Sequence, residues 1–406
     1  MLLIFLLLLS VSFVSCGLFE PDTIILWTDQ PEFALYAQSY NKSQNRYKVE
    51  VQYFDSPAQK LSGEDFTPDV VVGKWLKSLS IRNFFRPLDG TFNPEDFYSH
   101  LLELGKSEEK YYLLPVSFNV PAIMFSRNNA YLMENPWTTT LAEIQRLGKA
   151  YNIEQNGIYS RMGFSPQWDD SFLFVMATIF GASFRESEPI TWNDDALDQA
   201  LSAGTAWIHE SNTNIQSVDD FMFKYYTSLP AEQLRSGRIL FSYITSGDFF
   251  RLPQERRNEL DFRWIMGDKS IPLNEETVYF GMCKKSKAKR GATAFAQWFF
   301  RRETQNLLME ETTRVRLHDN HFGIANGFSG MRSVTEQVFP IFYPGLLGHI
   351  PPEEFLSPPN ILPHTWTSLK SQAILPYLRE RIKSPQNPDI RPLDRRIHDW
   401  YRINGQ

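Results

Sequence analysis

Apolar and polar positions change period several times along this chain, and the changes mark out its elements. Residues 23–27, TIILW, form a short apolar run that ends at Thr28-Asp29 and reads as a buried strand. Pro31 suits the first turn of a helix running to about Asn45, with Phe33, Leu35, Tyr36 and Tyr40 on one broad face. Residues 47–54, YKVEVQYF, alternate as a half-buried strand does. Pro68-Asp69 then introduces Val70, Val71 and Val72, a continuous β-branched run closed by Gly73, the pattern of a buried parallel strand. Strand, helix, strand, strand predicts an α/β domain with a parallel sheet.

The stretch 112–128, YLLPVSFNVPAIMFSRN, sets Ser117 and Asn119 between two apolar runs, with Pro115 and Pro121 on either side. Proline cannot donate to a ladder. The pattern therefore predicts two short strands, 111–114 and 122–125, with a bent joint between them; an edge strand with a Pro at each end is the alternative. Thr140 is a candidate N-cap, with Glu143 as its capping-box partner, for a helix to about Tyr151. Asp170 is a candidate cap for a buried helix over 172–179. Ala196, Leu197, Ala200, Leu201, Trp207 and Ile208 recur at helical spacing. Strands are predicted over 237–243 and 262–266, with a polar turn at 245–248 after the first. Residues 277–283, TVYFGMC, form a second crossing candidate. The basic run 284–290 reads as the solvated start of a helix centred on Phe295, Trp298 and Phe299, and another helix is predicted over about 366–382.

Length and composition narrow the function. With 406 residues there is room for two or more domains. A formal net charge of −6 gives no sign of a nucleic-acid surface. Aromatic residues make up 15%, including 10 Trp; most of these rings must be core, and some surplus Trp could line a ligand cleft. Trp27, Trp75 and Trp168 each follow a predicted strand or sit in a turn, near Asp or small polar residues. In open α/β sheets ligands bind beyond the carboxyl ends of strands, and a flat ring beside polar groups suits a sugar. Each of these Trp residues could equally be core.

Two cysteines imply no disulfide framework. Cys283 lies in an apolar run and reads as an inert buried thiol. Residues 1–15 carry no charged side chain, are too short to span a bilayer, and have the length of a secretory apolar region. Phe13-Val14-Ser15-Cys16 resembles a bacterial lipobox, although Leu is usual at position 13 and no Lys or Arg precedes the apolar run. That resemblance implies a signal peptide over 1–15, a lipidated Cys16, and a tether over 16–22 holding the folded body near a bacterial membrane in the cell envelope.

No G-x-G-x-x-G, P-loop, G-x-S-x-G or H-E-x-x-H is present. His318 and His321 are close in sequence, but an exposed polar loop accounts for them without a metal. Asp169-Asp170 can be read as an acid/base pair or as helix-capping residues.

In order along the chain, ILWTD, PDVVVGKW, PLDG, LLPVSFNVPAIMFSRNNAYL, PWTTTLAEIQRLGKAY, GFSPQWDDSFLFVMATIFGASF, LRSGRILFSYITSGDF, YFGMCKKSKAKRGATAFAQWFFRRETQ and GMRSV resemble the bacterial extracellular solute-binding proteins of ABC importers, in the sugar-binding family that includes the maltose-binding protein. The resemblance covers about 20–383. It implies an α/β, two-lobed periplasmic-binding-protein fold of type II-like topology, with a ligand cleft between lobes joined by crossing strands. The lobes are expected over 23–118 with 280–330, and over 119–279 with 331–406. The implied ligand contacts are Trp27, Thr28, Asp29, Trp75, Asn119, Trp168, Asp169, Asp170, Ser246, Asp248, Tyr279 and Arg332. The resemblance further implies a carbohydrate ligand, delivery to ABC permease subunits powered by a separate ATPase, a monomer, and no catalytic residue, cofactor, metal or nucleic acid. Other readings are a polyamine or small polar solute held by Asp29, Asp169, Asp170 and Asp248, a glycan hydrolase using two Asp, and a surface interaction lipoprotein that has lost transport.

Overall fold

The computed structural model describes residues 21–63, 66–225, 227–315 and 321–404. The segment 1–20, with Cys16 and the expected signal peptide, lies outside the described residues, as do His318, Asp319 and Asn320.

Two separate sheets organise the chain. The first has six strands, in the order Phe328–Ser329, Leu113–Phe118, Val278–Met282, Val70–Lys74, Asp22–Thr28 and Tyr47–Tyr53. Asp22–Thr28 runs parallel to both its neighbours, pairing Ile24 with Val49 and Leu26 with Val70. Val278–Met282 enters antiparallel between Val70–Lys74 and Leu113–Phe118. The second sheet has four strands, in the order Ser242–Thr245, Pro121–Ser126, Leu260–Met266 and Thr138–Thr140. Each sheet carries helices and its own packed interior, giving a two-lobed α/β fold.

Most of the rings fill these interiors. Phe33 and Tyr36 of the first helix, Phe33–Ser43, meet Phe299 at centroid distances of 5.3 and 5.9 Å. Phe164, Phe172 and Trp207 form a corresponding cluster in the second lobe. Asp69, buried at the start of its strand, takes the backbone N–H of Ile25 on one oxygen. Its other oxygen accepts from Ser286 Oγ and from the N–H groups of Lys287 and Ala288. The solvated basic run thus leads into helix Lys289–Phe299 over an anionic cap.

Several local expectations shift. The crossing strands are longer than predicted, and both prolines lie within them. Pro115 is tolerated because the ladder opposite it slips in register between Val278 and Tyr279. Only Asn119 and Val120 separate the two sheets there. Val278–Met282 belongs wholly to the first sheet, so the second crossing precedes it. Thr140 does cap its helix, but the Glu143 carboxylate accepts from Glu134 N and Thr139 Oγ1 and does not reach back to Thr140. Asp169, not Asp170, caps helix Asp170–Ile179. Arg332–Gln337 packs on Arg302–Arg314 and Phe328–Ser329, on the first-lobe side of the expected division at 331. The helices of the tail return to the second lobe, with Leu375–Lys383 lying on Asp170–Ile179 and Asp194–Ser211. A last helix, Leu393–Asn404, follows the one expected over about 366–382.

Where the chain crosses, neither ladder continues and the polar groups pair with one another. Asn119 O accepts from Asn274 N at 2.9 Å, joining the two crossings. The Asn119 side chain accepts from Ser246 Oγ at 2.7 Å and donates to Asn326 O at 2.9 Å. Ser246 Oγ also accepts from Val120 N, and Ser246 N donates to Val120 O. Asn119→Ala removes two of these bonds and leaves their partners unpaired. A stability loss of about 2–4 kcal/mol is expected, measured by urea unfolding; unchanged stability would show that the network does not hold the crossing.

Candidate functional site

A cleft of about 770 Å³ opens between the lobes, above this network. Its first-lobe wall is the loop after Asp22–Thr28, from Asp29 to Glu32, together with Lys74 and His321. Its second-lobe wall comprises Asp169, which caps one helix, Phe174 within that helix, Tyr243, Ile244, Thr245, Gly247, Asp248 and Lys370. Asn119, Asn274 and Asn326 lie at its floor. The lobes also touch directly. Glu186 of the second lobe accepts from Ser78 Oγ at 2.6 Å and from Leu79 N at 2.7 Å.

Of the expected contacts, Asp29, Asn119, Asp169 and Asp248 come together around this space. The others lie elsewhere. Trp27 is buried, its indole donating to Gln52 at 2.8 Å and its edge packed on Phe54. Thr28 is buried and accepts from Gln30 N. Trp75, held at φ 63°, turns its indole to Thr367. Trp168 stacks on Phe221. Asp170 pairs with Arg379, so Asp169 and Asp170 do not form a facing acid/base pair. Ser246 lies beneath the floor, bonded to Asn119. Tyr279 is sealed in the first lobe, donating to Leu101 O, with the Lys77 ammonium 4.9 Å from its ring centroid. Arg332 pairs with Glu353 at 3.0 Å. An indole at a strand end gains more from burying its ring than from facing water, which is why strand-end position alone did not place these side chains.

The cleft also holds charged groups that periodicity did not single out. Adjacent Glu275 and Glu276, on the second crossing, pair in opposite directions: Glu276 with Lys74 of the first lobe at 2.6 Å, Glu275 with Lys370 of the second. Lys370 begins a π-helical turn, Lys370–Ile374. Pro376, which cannot donate to the carbonyl four residues back, follows it. Burial by itself pushes the Glu275 carboxyl up; the Lys370 ammonium outweighs it and holds the group below its usual range. Burial raises Asp29, opposed by the Gln30 amide and by Lys74, and raises Asp169, opposed by the N–H groups of Ser171 and Phe172. The Tyr243 phenol is pushed well up by burial, then by Asp169, Glu275 and Asp248, so it stays a neutral donor facing carboxylates. Such a cleft can surround a polar solute with fixed donors and acceptors. Among the described residues no cluster of three or more His, Cys, Asp or Glu is arranged to hold a metal.

A family model described as bacterial extracellular solute-binding protein matches residues 36–316, more than half of the chain. The chain belongs to this family of bacterial extracellular solute-binding proteins. The fold of this solute-binding protein is also that of several solved structures. An ABC substrate-binding protein from Listeria monocytogenes in complex with cycloalternan matches with a TM-score of 0.66 and 14% identity, over 95% of this chain and 99% of that one. A cyclo/maltodextrin-binding protein complexed with maltotetraose matches with a TM-score of 0.65 and 13% identity, over 95% and 99%. The maltose-binding periplasmic protein of Listeria monocytogenes, in complex with maltose, gives 0.61 and 13%, over 95% and 99%. No curated protein matches the chain by sequence. Family and structural neighbours are binding proteins. Among the described residues no helix is long and apolar enough to cross a membrane.

The Glu275–Lys370 pair makes a prediction about stability. Because the folded Glu275 value is lowered, its contribution is complete above the ordinary value of 4.5 and is lost as pH falls through the lowered one. Lys370→Met leaves a buried carboxylate unpaired. It is expected to lower stability at neutral pH by about 3–5 kcal/mol, and by less in acid where Glu275 is protonated. Urea unfolding across pH checks both; a pH-independent difference would remove the electrostatic explanation.

Proposed function

We propose that this solute-binding protein captures a saccharide between its lobes and delivers it to the membrane permease of an ABC importer. The observation that carries the reading is the interlobe cleft itself, where Asn, Asp, Glu and Tyr side chains from both lobes face a space of about 770 Å³. Hydroxyl groups match such alternating donors and acceptors. The fold neighbours crystallised with oligosaccharides support it. Binding works by closure: a ligand that touches both walls favours the state in which they approach, by its differential contacts. The floor network and the opposed Glu275 and Glu276 pairs are where such a motion would bend.

We also propose that Cys16 carries acyl chains, so that the short tether keeps the cleft near the permease. The Cys16→Ser variant is expected to lose incorporation of radiolabelled palmitate and to leave the membrane fraction; retention of both would remove the anchor. For binding, calorimetric titration against mono- to tetrasaccharides, paired with small-angle scattering, should show saturable heat together with compaction. Absence of both for every sugar would overturn the saccharide reading.

A further inference from the structure

Away from the cleft floor, a short first-lobe segment meets the second lobe directly. It is residues 75–80, which follow the strand Val70–Lys74. Trp75 Nε1 donates to Thr367 Oγ1 at 3.0 Å. Ser78 Oγ and Leu79 N donate to Glu186 at 2.6 and 2.7 Å, one to each carboxylate oxygen. Ser80 Oγ lies 3.0 Å from Ser78 Oγ and 3.1 Å from His364 Nδ1.

Each hydroxyl has one proton, and this fixes the direction of the chain of bonds. Ser78 gives its proton to Glu186, so Ser80 donates to Ser78. Ser80 then has none left for His364, so His364 Nδ1 carries a hydrogen and donates to Ser80. Burial holds the His364 imidazole below its usual range, which keeps the ring neutral at neutral pH. The chain of bonds thus starts and ends on the second lobe and passes through two first-lobe hydroxyls. Ser78 is fully buried, so parting the lobes takes away the acceptor of a desolvated group.

Both sides of the contact are anchored. On the second lobe Glu186 N donates to Ile361 O, and Asn360 Nδ2 donates to Phe184 O. Phe184 and Asn360 line the cleft, whereas Ser78, Ser80 and Glu186 do not. On the first lobe Lys77 Nζ donates at 2.9 Å to Thr277 Oγ1, on the second crossing. Trp75 is held at φ 63°, a region that a bulky side chain occupies only where its surroundings fix it. All the donors and acceptors belong to the chain, so the contact needs no solute to form.

We infer that residues 75–80 and Glu186 form a latch that biases the lobes toward closure before a solute arrives, and that Glu186 is a positioning residue, setting solute affinity without touching the solute. The effect on affinity rests on the reading of capture by closure given above; the latch itself does not. Apparent affinity scales with the fraction of molecules already in the binding-competent arrangement. A weaker latch therefore weakens every ligand by one common factor, whereas loss of a direct contact affects different sugars differently.

The test uses Glu186→Ala, with Glu186→Gln as the conservative variant. Small-angle scattering is measured on the free proteins, and calorimetry against maltose, maltotriose and maltotetraose. Free Glu186→Ala is expected to have a larger radius of gyration than the free wild type. It should bind each saccharide that the wild type binds about five- to tenfold more weakly, by the same factor for each, and compact more on binding. Glu186→Gln keeps an acceptor oxygen and should fall between the two. Ser78→Ala, which removes only a hydroxyl, takes the place of Glu186→Ala should that variant fold poorly. Superimposable scattering from the free variant and the free wild type overturns the latch, whichever sugars bind. An expanded variant with unchanged affinity, or with losses that differ from sugar to sugar, overturns the positioning role. An expanded variant when no saccharide binds either protein supports the latch and counts against the saccharide reading instead.

Discussion

The structure depends on how the first two of the chain's three crossings between the lobes satisfy their polar groups between sheets. At residues 119–120 the first ladder has ended and the second has not begun. Backbone and side chains there must pair locally or remain unsatisfied in a largely buried place. Asn119 meets the need by bonding to three partners that are distant in sequence: Ser246, Asn274 and Asn326. The two crossings are thereby held as one joint. The floor of the cleft is the upper surface of that joint, so the site's position follows from hydrogen bonding that does not itself need a ligand.

Charge is distributed around the same joint. Glu276 ties the second crossing to the first lobe through Lys74, and its neighbour Glu275 ties it to the second through Lys370. The chain bends at Glu275, with Glu276 N donating to Asn274 Oδ1 and Thr277 N to Glu275 O, and the bend turns the two side chains toward different lobes. Lys370 is presented by a wider helical turn ahead of Pro376, so a backbone irregularity lies beside the cleft.

The aromatic residues show how far composition can mislead about a site. Ten Trp in a chain of this size suggested rings to spare for a ligand. Trp27 and Trp168 pack into the lobes, and Trp75 reaches across to Thr367 near the lobe contact made by Ser78, Leu79 and Glu186. A chain that folds as two smaller lobes has two interiors to fill, and rings fill them efficiently. Surplus over a single core was therefore not surplus over two.

The sequence by itself determined the class of the fold. Valine runs, alternating strands and helical spacing are local patterns, each set by which face an element buries, and they placed the first parallel strands and several helices close to where they lie. It also marked the first crossing, because Pro115 and Pro121 bracket a polar pair within apolar runs. Asp29, Asn119, Asp169 and Asp248, named through the resemblance to solute-binding proteins, lie around the cleft. Only the tertiary structure decided the rest. Glu32, Glu275, Lys370 and His321 are ordinary surface residue types until the lobes bring positions hundreds of residues apart into one space. Whether Trp27 faced a ligand or the core depended on the partners Gln52 and Phe54 that the sheet placed beside it. Periodicity records which residues are buried; it does not record which buried or polar groups meet, because that is fixed by long-range pairing and packing.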